Sequence, residues 1–163
     1  MKNLKYFLTI IGVVVLASCS NKTDVEFLGM NIKSSPSSFI KHLESNGFTK
    51  KGDISYTGKY LGEDVLIILG DTTKGYFDKI VVTALFSKYG ESNYAPAKAY
   101  YKKLYRAVEK EYSGFKMEEE KDADSESKEY YNDNGGSIHV SLQGNEATDK
   151  ILSIVGISFH SEE

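Results

Sequence analysis

The sequence predicts a single α+β domain, in which two helices pack on one face of a curved antiparallel sheet. Two segments carry apolar residues at helical spacing between clear start and stop signals. Eight shorter segments, rich in β-branched and aromatic residues, are separated by turn residues and are typical of strands. Each helix precedes four of these strands, which predicts two helix-plus-four-strand repeats.

The first predicted elements are a short strand and a helix. Residues 25–32 ("VEFLGMNI") are predicted as the strand. In the following stretch "SSPSSFIKHLESNG", Ser35 suits the N-cap, Pro36 the first helical position and Gly47 the end of the helix. The apolar stripe of this helix comprises Phe39, Ile40 and Leu43.

The remaining predicted elements are four strands, a second helix and four more strands. The strands after the first helix are predicted at residues 48–51, 54–60, 64–70 and 79–87. A helix follows over residues 95–112, and its apolar stripe comprises Tyr101, Leu104, Tyr105, Val108 and Tyr112. The last four strands are predicted at residues 115–121, 128–132, 137–143 and 150–159. Asn134-Gly135 is a typical hairpin turn.

Short matches between the two halves predict an internal repeat, over about residues 34–88 and 94–160. The matched segments are Gly47-Phe48 with Gly114-Phe115, "ILGD" (68–71) with "LQGN" (142–145), and "DKI" (78–80) with "DKI" (149–151). This layout resembles the two-repeat fold of the secreted β-lactamase inhibitor proteins and of small outer-membrane assembly lipoproteins. Their repeats usually begin with two helices and here each begins with one, so the resemblance concerns topology and no residue is carried over.

The amino terminus has the three zones of a secretory signal. Lys2 and Lys5 precede an apolar stretch over residues 6–16, which is too short to span a bilayer as a helix. The ending Leu16-Ala17-Ser18-Cys19 resembles the lipobox of bacterial lipoproteins. That resemblance implies a diacylglycerol on the sulfur of Cys19 and removal of residues 1–18 as a signal peptide. The alternative is an ordinary cleaved signal with an incidental cysteine.

The lipobox resemblance implies a protein attached to the cell envelope of a bacterium, with the outer membrane as the expected location. The lipidated Cys19 and a polar tether would occupy residues 19–26, followed by one domain over residues 27–163. Two or three acyl chains hold a protein stably at a membrane, whereas one holds it marginally. The stretch "FLGMNIKSSPSSFIKHLESNGF" (27–48) also resembles the opening of small envelope lipoproteins of unknown function.

Composition and motifs narrow the classes of function. The whole chain has a net charge of −3, and removing residues 1–18 takes away two lysines and no acid, which leaves −5. An acidic chain without clustered cations is a poor candidate for binding nucleic acid. No nucleotide-binding loop, zinc motif or nucleophile elbow is present, and a lipidated Cys19 leaves no free thiol. We therefore expect no enzyme activity, cofactor or metal.

Three weaker patterns leave alternatives open. The acidic stretch "EEEKDADSESKE" (118–129) alternates like a calcium loop but has Ser127 where an EF-hand needs glycine, so a solvated hairpin loop is expected. The tyrosines of the second helix are expected to form core and rim, with a sugar-binding platform as the alternative. The histidines His42, His139 and His160 are expected to be separate surface residues.

Strand alternation gives the clearest functional hypothesis. The segment "VLIIL" (65–69) is apolar on both faces, so two of its side chains point away from the helices. The residues predicted on that open face are Leu66, Ile68, Val81, Leu85, Leu152 and Ile154. They are either covered by the first strand, a loop or sheet coiling, or exposed as an interaction surface.

The exposed alternative favours a non-enzymatic binding module, which meets a protein or a small ligand and contacts the membrane through its lipid. An envelope inhibitor or assembly-accessory protein that uses the open sheet face is the second hypothesis. An enzyme is the third, and it lacks a recognisable set of catalytic residues.

Overall fold

The computed structural model describes residues 24–87, 92–144 and 152–161. These residues form an α+β domain with two helices, a two-stranded hairpin and an eight-stranded antiparallel sheet, so the predicted fold class is confirmed at this level. The predicted signal peptide, Cys19 and the second "DKI" segment lie outside the described residues.

The elements follow the predicted order closely. The first half contains β1 (Glu26–Phe27), β2 (Met30–Asn31), α1 (Pro36–Ser45), β3 (Thr49–Lys50), β4 (Ser55–Tyr60), β5 (Glu63–Leu69) and β6 (Lys79–Phe86). The second half contains α2 (Tyr94–Glu111), β7 (Lys116–Lys121), β8 (Ser125–Tyr131), β9 (Gly136–Gln143) and β10 (Ser153–Ser161). The strand order in the large sheet is β3-β4-β5-β6-β10-β9-β8-β7. The last strands of the two halves therefore pair at its centre.

The predicted strand over residues 25–32 is wrong, because this stretch folds back on itself. Leu28 and Gly29 both have positive φ angles, 55° and 78°, and they form the turn between β1 and β2. The fold-back places Phe27 in the core, where its ring lies 5.2 Å from that of Phe159 in β10. The two-stranded hairpin therefore adds core packing and is not part of the large sheet.

The ends of α1 are those that the sequence predicts. The Ser35 side chain accepts a hydrogen bond from the backbone N–H of Ser38, and Pro36 occupies the first turn. Gly47 follows the helix with a φ of +85°, a conformation that glycine adopts without steric cost. Phe39 and Leu43 are buried, and Ile40 packs partly buried against the core.

Both helices pack on the same face of the large sheet. In α1, the Phe39 ring stacks on Phe27, which in turn contacts β10. In α2, Tyr100 lies against Phe86, and its hydroxyl donates a hydrogen bond of 2.9 Å to the carbonyl oxygen of Tyr60. The buried residues of α2 are Ala97, Tyr100, Tyr101, Leu104 and Val108. Tyr100 and Tyr101 are thus core residues, and Tyr94 and Tyr105 pack partly buried at its rim, which argues against a sugar-binding platform on this helix.

The acidic stretch is a strand pair and not the expected solvated loop. Residues 118–121 belong to β7 and residues 125–129 to β8, so the turn spans only residues 122–124. On the helix side of β8, the carboxylate of Glu126 forms ion pairs with Lys98 at 3.0 Å and Lys121 at 3.1 Å. Because the Glu126 carboxylate is already paired with two lysines, it is not free to bind calcium, which argues against the calcium loop.

Candidate functional site

The face of the sheet opposite the helices carries the candidate site, and we call it the open face. Cross-strand pairing aligns its side chains in two rows that run across six strands from β5 to β7. The first row comprises Leu66, Thr83, Gly156, Ser141, Ser127 and Glu120. The second row comprises Ile68, Val81, Ser158, His139, Glu129 and Glu118. Both rows begin with an aliphatic residue in β5 and end with a glutamate in β7; the first row has small residues in its middle, and the second has Ser158 and His139.

The six residues of the predicted interaction surface form an apolar strip along β5, β6 and the start of β10. The larger aliphatic side chains are exposed, with relative accessibilities of 61% for Leu85, 40% for Ile68, 39% for Leu152 and 37% for Leu66. Val81 and Ile154 are half-buried. The hairpin that contains β1 does not cover the strip, because its Phe27 packs in the core.

The exposure of Leu66 and Ile68 follows from the parity of β5. Val65, Ile67 and Leu69 are buried against the helices, so the residues between them must point to the open face. Ordinary half-exposed strands place polar residues at such positions. Leu66 and Ile68 depart from this alternation, and core packing does not explain why both are large and aliphatic.

A groove of about 220 Å³ runs along β10 at the middle of the open face. Its lining comprises Lys79, Val81, Thr83, His139, Ser141, Gln143, Ile154, Gly156, Ile157 and Ser158. Gly156 lies at the point where a side chain would fill the space. A Cβ on Gly156 would lie 3.4 Å from the Oγ of Ser141, which is an ordinary contact, and its φ lies outside the left-handed region. The backbone therefore does not require glycine there.

Two of the three histidines lie near one end of this groove. His139 lines the groove, and the Nε2 of His160 lies 3.0 Å from the Oγ of Ser158. Burial, and then the nearby positive charge of Lys79, hold the pKa of His160 below its usual value, so its neutral form is favoured. The third, His42, is elsewhere and contacts the carbonyl oxygen of Leu28 at 2.9 Å. His139 and His160 therefore lie half-buried on neighbouring strands, whereas His42 lies apart from them on α1.

The outer strands of the open face are acidic. Glu118, Glu120 and Glu129 are exposed, and Glu118 lies directly opposite Glu129 in the β7–β8 pair. The hydroxyl of Tyr131 donates a hydrogen bond of 2.9 Å to Glu118. Two carboxylates directly across a strand pair repel each other. The open face therefore joins an apolar side to an acidic side.

The described residues contain no group of three histidine, cysteine, aspartate or glutamate side chains placed to hold a metal ion. In the same part of the chain, neither helix is long and apolar enough to cross a membrane. No protein family matches the chain, and no curated protein or solved structure shows significant similarity to it. The function must therefore be argued from the geometry of the open face.

Sequence reasoning located the apolar strip but missed the groove and the acidic side. The sequence places Gly156 and Ser158 in a predicted strand without a further role, and it places Glu118, Glu120 and Glu129 in predicted strands while the acidic stretch between them is interpreted as a solvated hairpin loop. Residues 125–130 contain one aromatic residue, Tyr130, and are otherwise polar, so no alternation of apolar and polar residues marks the two faces of this strand.

Proposed function

We propose that this protein is a lipid-anchored binding module of the bacterial cell envelope, and that the open face of its sheet is the binding surface. The observation that carries the proposal is the exposed apolar strip, which borders the groove along β10. Contiguous exposed apolar surface is uncommon on proteins that act alone and marks interaction sites. Burying Leu66 and Leu85 against a partner would remove their apolar surface from water. Each Å² of buried apolar surface stabilises a complex by about 25 cal/mol.

The proposed anchor is a lipid on Cys19, and it limits how far the domain lies from the membrane. Six residues separate Cys19 from Glu26, the start of β1, and the seven Cα–Cα steps between them extend over at most about 25 Å. The domain would therefore stay close to the membrane surface while its open face meets a partner. Labelling cells with an alkyne-tagged fatty acid tests the anchor, because the full chain should incorporate the label and the Cys19→Ala variant should not.

We also propose that the fold arose from two copies of one helix-plus-four-strand unit. Two features support the proposal: α1 and α2 each precede four strands, and the strand order runs from β3 to β6 and then from β10 back to β7. Such an arrangement places the last strand of each unit at the centre of the sheet. The groove of the proposed binding surface follows one of these two central strands.

Site-specific photo-crosslinking in intact cells tests the binding surface. A photoreactive amino acid at position 66 or 85 of the full chain should give the same discrete crosslinked product. The matched control is position 102, where Lys102 lies on an exposed part of α2. Absence of a product from positions 66 and 85, or an equal yield of the same product from position 102, would contradict the proposed function.

A further inference from the structure

The open face has an unfavourable arrangement of side chains at each end, and both lower the stability of the isolated domain. At one end, Leu66 and Ile68 are exposed to water. At the other end, Glu118 and Glu129 lie directly opposite each other, with Glu120 one pleat along on the same face. Departures of this kind are typical of surfaces that a partner covers, because a partner can compensate both.

The distance between the two ends defines the size of that partner. From β5 to β7 there are five strand spacings of about 4.8 Å, which make about 24 Å. A helix of about 16 residues covers this distance. Gly156, Ser141 and Ser127 occupy the middle of the first row, so a segment laid along that row meets no bulky side chain between the two ends, and His139 in the second row flanks it.

We propose that the occupant of the open face is a segment of a partner protein that carries aliphatic side chains at one end and lysines or arginines at the other. This inference rests on the proposed function and adds the chemistry of the partner. The aliphatic end contacts Leu66, Ile68 and Val81. The cationic end lies over Glu118, Glu120 and Glu129 and relieves their mutual repulsion.

The charges of the open face argue against two other occupants. A second copy that packed face to face along the whole sheet would bring either two acidic sides together or an apolar side onto an acidic side. An anionic membrane surface would be repelled by the three glutamates. The lysines nearest to these glutamates on the open face do not neutralise them. Lys116 forms an ion pair with Asp133, and Lys79 lies in β6 opposite His160, outside the two rows.

Peptide binding to the full chain in detergent tests the inference. The first probe is a fluorescein-labelled helical peptide of about 16 residues, with leucines in its first third and lysines in its last third. Its matched control replaces each lysine by glutamate. We expect the lysine peptide to bind about tenfold more tightly than its control at low ionic strength, which corresponds to three modest ion pairs. Raising the salt concentration should shrink this difference.

Protein variants separate the inference from the proposed function. The triple variant Glu118→Gln, Glu120→Gln, Glu129→Gln should remove the preference for lysine, whereas Lys79→Gln should not. Leu66→Ser with Ile68→Ser, and independently Gly156→Val, should weaken both peptides. The valine variant fills the groove without removing a core residue, so it remains informative if the serine variant is unstable.

Three outcomes would overturn the inference. If the glutamate control binds the wild type as tightly as the lysine peptide, while Leu66→Ser with Ile68→Ser still weakens both, the partner chemistry is wrong and the binding surface stands. If neither peptide binds the wild type, the inference fails, and the crosslinking from positions 66 and 85 then decides the proposed function. A dimer in sedimentation that the same serine variant dissociates would identify a second copy as the occupant.

Discussion

The side chain of Tyr112 and the backbone of Glu26 are joined by two hydrogen bonds. The Tyr112 hydroxyl accepts one from the N–H of Glu26 at 3.0 Å and donates one to its carbonyl oxygen at 2.9 Å. The phenol at the end of α2 thus acts as the partner that β1 would otherwise need from a neighbouring strand. It fixes the start of the domain at Glu26, the last residue of the predicted tether and the first of β1.

Replacing Tyr112 by Phe should destabilise the domain by about 1–3 kcal/mol, because both polar groups of Glu26 would lose this partner. Urea unfolding measures the effect. The matched control is Tyr131→Phe, which removes the hydroxyl that donates to Glu118 at an exposed site and should cost less than about 0.5 kcal/mol. Equal midpoints for the two variants would contradict this role of Tyr112.

Two strand glycines should respond in opposite ways to alanine. In β4, a Cβ on Gly58 would lie 2.5 Å from the ring of Phe48, which is itself buried, so Gly58→Ala should destabilise by about 1–3 kcal/mol. In β10, Gly156→Ala meets only an ordinary contact and should be neutral or slightly stabilising. Thermal unfolding of the pair tests both expectations, and a stable Gly58→Ala variant would mean that Phe48 can move aside.

The sequence predicts the helices and most strands because their signals are local. Ser35, Pro36 and Gly47 delimit α1 within a few residues of one another, and turn residues separate the strands. The prediction of one continuous strand over residues 25–32 is wrong because the positive φ of Leu28 is rare for a residue other than glycine and leaves no pattern in the sequence. The turn depends on the packing of Phe27 in the core, a tertiary contact that local sequence signals do not contain.

The candidate site could be predicted only in part, since it depends on register across six strands. The position of Leu66 and Ile68 on the open face can be predicted because β5 is apolar on both faces, which is visible within one strand. Gly156 and Glu118 belong to the site only through the pairing of β10 with β9 and of β7 with β8. A shift of one residue in the strand register would move Gly156 or Glu118 to the other face of the sheet. The pattern of a single strand therefore cannot show that they belong to the site.

Glu126 should contribute stability that is lost in acid. Burial alone would raise the pKa of its carboxyl, but the hydrogen bonds from Lys98 and Lys121 outweigh burial and hold the pKa below its usual value near 4.5. A lowered pKa in the folded state means that the contribution is complete above the unfolded value and is lost as the pH falls below about 4.5. Glu126→Gln should therefore lower the free energy of unfolding at pH 7 and flatten its decline in acid.

The control for Glu126 is Glu120→Gln, which changes the same charge on the neighbouring strand at an exposed position. Urea unfolding between pH 3 and pH 7 measures both variants. If they have the same free energy of unfolding across that range, the ion pairs of Glu126 contribute nothing beyond general charge.

His160 should add a separate loss of stability at a higher pH. Its pKa lies below the usual value near 6.5, because burial and the nearby Lys79 and His139 disfavour its charged form, while Glu129 and Asp78 partly oppose them. The unfolded chain takes up this proton more readily, so stability is complete above about pH 6.5 and declines as the pH falls through that value. Replacing His160 by Gln should remove the part of the decline in stability that precedes the titration of Glu126.

Urea unfolding between pH 5 and pH 7.5 tests this effect of His160. The control is His42→Gln, because the ring of His42 lies on α1. An unchanged slope in the His160 variant would show that its proton uptake is the same in the folded and unfolded chains.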